Sequence, residues 1–273
     1  MKNVILLILT MLSVLNLKAQ KDSTAEPLAI GETRTIHSKS LGEDRVLNIN
    51  LPQTYDASRS YPVLYLLDGS LNEDFLHICG LVQFFNLQFK TPEFIIVGIA
   101  NVDRQRDFTY PTDLEDLKKD LPTAGHSAAF IQFLEKELQP YIEKTYSTNG
   151  TKYLIGQSLG GLLATEVLLK NTDLFTHYLI VSPSLWWDDE SMLKQAASLF
   201  AQQQFKQLYV YISVGKGERP VMRRDAKKLY EVLKTAKRPG LTLDFNLMKK
   251  ENHATILHNS IYEGLLELFP YKE

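Results

Sequence analysis

The sequence of 273 residues contains one cysteine, Cys79. It therefore has no internal disulfide and no zinc site built from several thiolates. Charge of one sign is equally lacking: 30 Lys and Arg stand against 32 Asp and Glu, a formal net charge of -2. With the signs interspersed there is no basic face for nucleic acid and no acidic tail. No internal repeat and no Pro/Gly/Ser-rich linker divides the sequence. No apolar run reaches the roughly 20 residues that a membrane-spanning helix needs. These absences leave a globular chain with enough residues for a sizeable core.

The first segment carries a different signal. Met1-Lys2-Asn3 is followed by a short apolar run from Val4 to Leu17 and then by Lys18-Ala19-Gln20. A basic start, a short apolar stretch and a small residue before a polar segment are the layout of a secretory signal peptide. The expectation is cleavage after Ala19, one folded domain over residues 20–273 and a periplasmic or secreted location. No membrane association is expected after cleavage, and the oligomeric state is left open. Cys79 lies at helical spacing from apolar neighbours in Phe75 to Leu81, which predicts a core thiol.

The pattern then becomes periodic. Arg34 to Ser38 and Arg45 to Leu51 alternate apolar and polar residues around the turn-rich Leu41-Gly42-Glu43-Asp44, which predicts an antiparallel hairpin. Apolar runs follow at Val63 to Leu67, Phe94 to Ala100, Lys152 to Ile155, His177 to Val181, Gln207 to Val214 and Leu241 to Met248. Such runs read as strands covered on both faces. Helical spacing separates them, clearest over Ser127 to Leu138, Arg223 to Lys237 and Thr255 to Phe269. The fold class is α/β, with a mostly parallel, doubly wound sheet and an antiparallel N-terminal edge. Catalytic groups in such a sheet lie beyond the carboxyl ends of its strands.

One motif meets that requirement. Gly156-Gln157-Ser158-Leu159-Gly160 follows a strand and opens a helix, the G-x-S-x-G context in which a serine hydroxyl is held exposed on a strained turn. The serine needs a base, and His253 lies directly after the last predicted strand, whereas His258 falls inside the last helix. The acid belongs between serine and histidine in chain order. Glu218, at the end of the strand Leu208 to Val214, is the choice, with Asp225 as the alternative. The oxyanion hole would combine the N–H of Leu159 with that of Gly69 or Ser70 after the strand ending at Leu67. No metal or cofactor is implied, and the partner is a small-molecule ester.

Leu64-Tyr65-Leu66-Leu67-Asp68-Gly69, Gly156 to Gly161, Val181-Ser182-Pro183-Ser184-Leu185-Trp186-Trp187 and Val214 to Glu218 together resemble the Putative esterase family of α/β-hydrolases. That family includes enterobactin and salmochelin trilactone esterases, feruloyl and acetyl-xylan esterases and S-formylglutathione hydrolases. The resemblance runs from about Arg34 to the C-terminus and implies an α/β-hydrolase fold and a serine esterase. The S-P-S-L-W-W stretch is most like the siderophore-esterase branch. Some periplasmic members of that branch work with a serine-histidine dyad, so the resemblance leaves the acid as Glu218, Asp225 or none. It also implies a cleft arginine in Asn101 to Thr109, either Arg104 or Arg106. Trp186 and Trp187 would line an aromatic pocket or fill the lid core. The alternatives are a carbohydrate-linked esterase and a hydrolase-fold protein that binds without catalysis.

Overall fold

The computed structural model describes residues 26–89 and 91–271. The segment assigned to a signal peptide lies outside the described residues. Residues Gly31–Glu273 form one compact unit.

Its first elements are a hairpin, Glu32–Ser38 (β1) and Glu43–Asn50 (β2), paired antiparallel. The turn passes through Gly42 at φ 68, a conformation open to glycine. Six further strands follow: Tyr61–Leu66 (β3), Ile95–Ile99 (β4), Thr148–Gln157 (β5), His177–Val181 (β6), Leu208–Gly215 (β7) and Leu241–Met248 (β8). They make one eight-stranded sheet in the order β1-β2-β4-β3-β5-β6-β7-β8. β2 meets β4 antiparallel, and every pair from β4 to β8 is parallel. This is the expected α/β-hydrolase sheet with its antiparallel N-terminal edge. All residues of β3, β4 and β7 are buried, the reason these strands are continuously apolar in sequence.

Alternation along β3 sends its side chains into two cores. Leu64 and Leu66 join Phe75, Ile78, Phe85 and Ile261 beneath helices Phe75–Phe89 (α1) and Ile256–Leu268 (α9). Val63 and Tyr65 face the other core, which holds Phe130, Leu162, Leu193 and Leu229. Those four belong to Ser127–Phe133 (α4), Leu159–Lys170 (α6), Trp187–Ala201 (α7) and Pro220–Thr235 (α8). Arg104–Phe108 (α2) and Glu115–Asp120 (α3) are short helices after β4, and Gln139–Thr145 (α5) precedes β5.

One helix departs from expectation. The predicted helix over 127–138 turns from α to π geometry at Leu134–Leu138 before α5 resumes the α form. Pro140 lacks an N–H and its ring crowds the carbonyl four residues earlier. A wider π turn just before it accommodates that clash. Cys79 is buried in α1, and burial pushes its thiol up to about 12.

The chain crosses from one side of β3 to the other between β4 and β5, so the topological switch point lies between β3 and β5. The elbow motif sits at the carboxyl end of β5.

Candidate active site

Ser158 is the hinge between β5 and α6, with φ 59 and ψ -117. A non-glycine residue there is strained, and the surroundings must hold it. Its N–H donates to Val181 O at 3.1 Å, while its carbonyl accepts from Ser184 N at 3.0 Å and Leu162 N at 2.9 Å. The close return of the chain depends on Gly156, where a Cβ would sit 2.3 Å from Gly160 O.

The loops after β7 and β8 bring two residues to this serine. Ser158 Oγ lies 3.0 Å from His253 Nε2, and His253 Nδ1 lies 2.8 Å from Glu218 Oε2. An ionised carboxylate only accepts, so the imidazole proton belongs on Nδ1 and the Nε2 lone pair faces the serine hydroxyl. The Glu218 side chain is fully buried, whereas that of His253 is 46% exposed. Glu218 Oε1 accepts from Gly215 N at 2.8 Å and from Ser182 Oγ. Burial alone would raise the Glu218 pKa, but hydrogen bonds from His253, Ser182 and Gly215 outweigh it and hold the carboxyl below its ordinary value. Asp225, the alternative acid, is buried in α8 and accepts from Arg224 Nε at 2.8 Å.

The two expected oxyanion donors after β3 part company. Gly69 N–H donates to Ile99 O at 3.0 Å, which corrects its assignment as a free donor. Gly69 is instead the point where β3 and β4 loops touch: a Cβ there would lie 2.4 Å from Gly98 Cα. Ser70 N–H makes only a long, exposed bond of 3.3 Å to Glu73 Oε2, which an incoming oxygen can replace. Leu159, the first residue of α6, offers an N–H that has no intrahelical acceptor, at the positive end of a buried helix.

The two candidate arginines also separate. Arg104 grips Asp68 through Nε (2.6 Å) and Nη2 (2.9 Å) and reaches Gln157 O at 3.2 Å. Arg106 turns away from the elbow to Glu43 and Asp107. Trp187 is wholly buried, its indole N–H donating to Tyr110 O at 2.9 Å. Trp186 is partly exposed and lines a cavity of about 400 Å³ with Leu114, Leu117, Glu115, Asp116 and Asp189. The cavity lining includes none of Ser158, His253 and Glu218. Among the described residues no group of three or more His, Cys, Asp or Glu side chains is placed to hold a metal ion.

Sequence reasoning missed three neighbours of the elbow. Ser184 Oγ is 3.3 Å from Ser158 Oγ, Ser182 holds the acid, and Gln157 Nε2 donates to the His253 carbonyl at 2.6 Å. Ser182 and Ser184 follow a predicted strand directly, a signal that pointed to the correct end of the sheet. Nothing local in Gln157 pointed to a residue so distant in sequence.

Residues 38–259 match the Putative esterase family. The chain belongs to that family. The esterase is 29% identical over 251 residues to the ferri-bacillibactin esterase BesA of Bacillus subtilis, across 83% of this chain and 85% of that one. It is 27% identical over 235 residues to the apo-salmochelin esterase of Escherichia coli, across 80% of this chain and 72% of the relative. Among solved structures it resembles an IroE-like serine hydrolase from Shewanella oneidensis, with a TM-score of 0.79 and 30% identity, across 88% of this chain and 80% of that one. It is a carboxylic ester hydrolase, and two of its relatives are named as esterases of ferri-bacillibactin and of apo-salmochelin.

Proposed function

We propose that this esterase is exported and hydrolyses the backbone esters of siderophore trilactones through an acyl-enzyme on Ser158. The observation that carries the mechanism is the unbroken chain Ser158 Oγ, His253, Glu218 at 3.0 and 2.8 Å. Ser158 Oγ attacks the ester carbon and its proton passes to His253 Nε2. The oxyanion forms within reach of the Leu159 and Ser70 N–H groups. Collapse breaks the ester C–O bond, and the alcohol leaves with the proton from His253. Water then attacks the acyl group, gives a proton to His253 and releases the carboxylic acid and free Ser158. Glu218 holds the imidazole in the required tautomer throughout.

The substrate class is supported by the siderophore esters named for the relatives and by the likeness of the Ser182 to Trp187 stretch to the siderophore-esterase branch. The location is supported by the basic, apolar and small-residue order of residues 1–19 alone. The catalytic unit would then be residues 20–273.

Two measurements test this. Ser158→Ala should lose p-nitrophenyl acetate hydrolysis and labelling by a fluorophosphonate; unchanged turnover would remove the nucleophile assignment. The wild-type esterase should cleave enterobactin faster than methyl ferulate or acetylated xylan. The reverse order would assign it to carbohydrate-linked esters.

A further inference from the structure

We propose that Ser184 is a catalytic residue of the second half-reaction: its hydroxyl donates to Ser158 Oγ and helps to expel that oxygen from the acyl-enzyme. The proposal rests on Ser158 being the nucleophile.

Ser184 is only 2% exposed, and among the described residues its hydroxyl has one partner, Ser158 Oγ at 3.3 Å. A buried hydroxyl needs a partner, and this one has the reacting atom. Which oxygen donates follows from the triad. Ionised Glu218 accepts the proton on His253 Nδ1, so Nε2 accepts the Ser158 proton across 3.0 Å. Ser158 has no second proton to give. The hydrogen between the two serine oxygens therefore belongs to Ser184, which is the donor.

The backbone holds the donor in place. Ser184 N–H donates to Ser158 O at 3.0 Å, and the Ser184 carbonyl accepts from Trp187 N at 3.1 Å. Upstream, Ser182 takes φ 44 and places its own hydroxyl on Glu218. Downstream, the wholly buried Trp187 fixes the segment through its indole N–H on Tyr110 O. The turn lies directly on the start of α6, where a Cβ at Gly161 would sit 2.9 Å from Pro183 Cα. Only a residue without Cβ at 161 lets Ser184 come this close to the nucleophile.

The donor acts unequally on the two halves of the reaction. In the resting enzyme Ser158 Oγ is a hydroxyl and already a good acceptor, so the bond from Ser184 exists before acylation and gains little from it. In the acyl-enzyme the same atom is the alkoxy oxygen of an ester, whose lone pair is delocalised into the carbonyl and accepts poorly. Water adds to the acyl carbon, its proton passes to His253 Nε2, and the Oγ lone pair is released from that delocalisation. The C–Oγ bond then breaks with its electron pair on Oγ, and His253 returns the proton there. The bond from Ser184 strengthens at each step while its own proton stays on Ser184. A hydrogen bond stronger in the transition state than in the acyl-enzyme lowers the barrier to deacylation. The 3.3 Å separation, longer than the roughly 2.8 Å usual between hydroxyls, leaves room for that tightening.

Stopped-flow hydrolysis of p-nitrophenyl acetate separates the two halves. The burst of p-nitrophenol reports acylation of Ser158, and the steady phase after it reports deacylation. Ser184→Ala should slow the steady phase about 10-fold and leave the burst rate within about threefold. The fraction of protein held as acetyl-enzyme, read by intact mass after an acid quench, should rise. In steady state kcat and KM should then fall together. Ser184→Cys, close in shape but a weaker donor, should lie between wild type and Ser184→Ala. Should Ser184→Ala fail to fold, Ser184→Cys carries the same measurement.

A steady phase within twofold of wild type in Ser184→Ala would overturn the proposal. Equal slowing of burst and steady phase would overturn it too, because Ser184 would then only position Ser158. Ser158→Ala run alongside tests the premise separately. A persisting burst in Ser158→Ala removes the nucleophile assignment, whereas its absence beside an unaffected Ser184→Ala removes only the role of Ser184.

Discussion

At the scale of single residues, Glu218 decides whether the site works as a dyad or a triad. Its carboxylate is buried, satisfied on both oxygens and 2.8 Å from His253 Nδ1. Glu218→Gln keeps the shape but presents an amide that can donate to Nδ1, which favours the wrong tautomer. The expected loss in kcat is on the order of 10³- to 10⁴-fold, approaching that of His253→Ala. A loss below about tenfold on p-nitrophenyl acetate would mean that His253 works without its acid. Because the folded pKa of Glu218 lies below its usual value, its contribution to stability is present above that usual value and is lost as pH falls through the lower one.

At the scale of elements, local strain is concentrated where loops meet the sheet's carboxyl edge. Asp68, Ser158 and Ser182 have φ of 55, 59 and 44, and each ends or follows a central strand. Asp188, Asp189 and Glu190 take the same left-handed region in succession at the start of α7. Thr112 Oγ1 on Asp188, Lys194 on Asp189 and Arg224 on Glu190 hold that turn. The start of α1 bears a different cost. Asp74, which immediately precedes α1, is raised from 3.8 to about 6, first by burial and then by Asp68 and Glu73, with Arg104 opposing. His77 Nδ1 is 3.9 Å away. A raised carboxyl pKa means that the folded state holds the proton more tightly. Stability therefore falls as pH rises from about 4 to about 6, and the cost persists above that. Asp74→Asn should remove roughly 2–3 kcal/mol of this cost at pH 7–8, the lower figure allowing for partial solvent screening, and change little at pH 4. Urea melts at the two pH values check it; an equal effect at both would show that charge is not the cause.

At the scale of the whole molecule, a buried charge network joins the hairpin to the site. Arg45 on β2 is fully buried and bonds Asp107, Glu43 and the Ala100 carbonyl, with its guanidinium 5.2 Å from the Phe130 ring centroid. Removing one member leaves Asp107 buried with only Arg106 beside it. Arg45→Ala should cost about 3–5 kcal/mol, the range for breaking a buried pair, read as a shift in the urea midpoint. A cost below about 1 kcal/mol would mean that the network is dispensable.

Much of this was legible in the chain itself. Continuous apolar runs marked β3, β4, β6 and β7 because strands covered on both faces have no polar side to show. β8, read as another such strand, is instead an edge strand in which Met248 alone is buried, and its Leu-Thr-Leu-Asp-Phe-Asn alternation reflects a half-open face. The glycines around Ser158 marked the elbow because only a residue without Cβ lets strand and helix return so closely. His253 and Glu218 were legible by address, each just past a strand. Other features had no local signature. Gln157 meets His253 across 96 positions of sequence, and Arg104 meets Asp68 across 36. The choice of Ser70 over Gly69 and of Arg104 over Arg106 depended on which way each group turned. Sequence by itself determined the order of elements and the chemistry at their ends, because periodicity and turn residues act over a few positions. Only the tertiary structure decided which donors were free and which side chains held others in place, because sheet pairing sets which distant loops share the cleft.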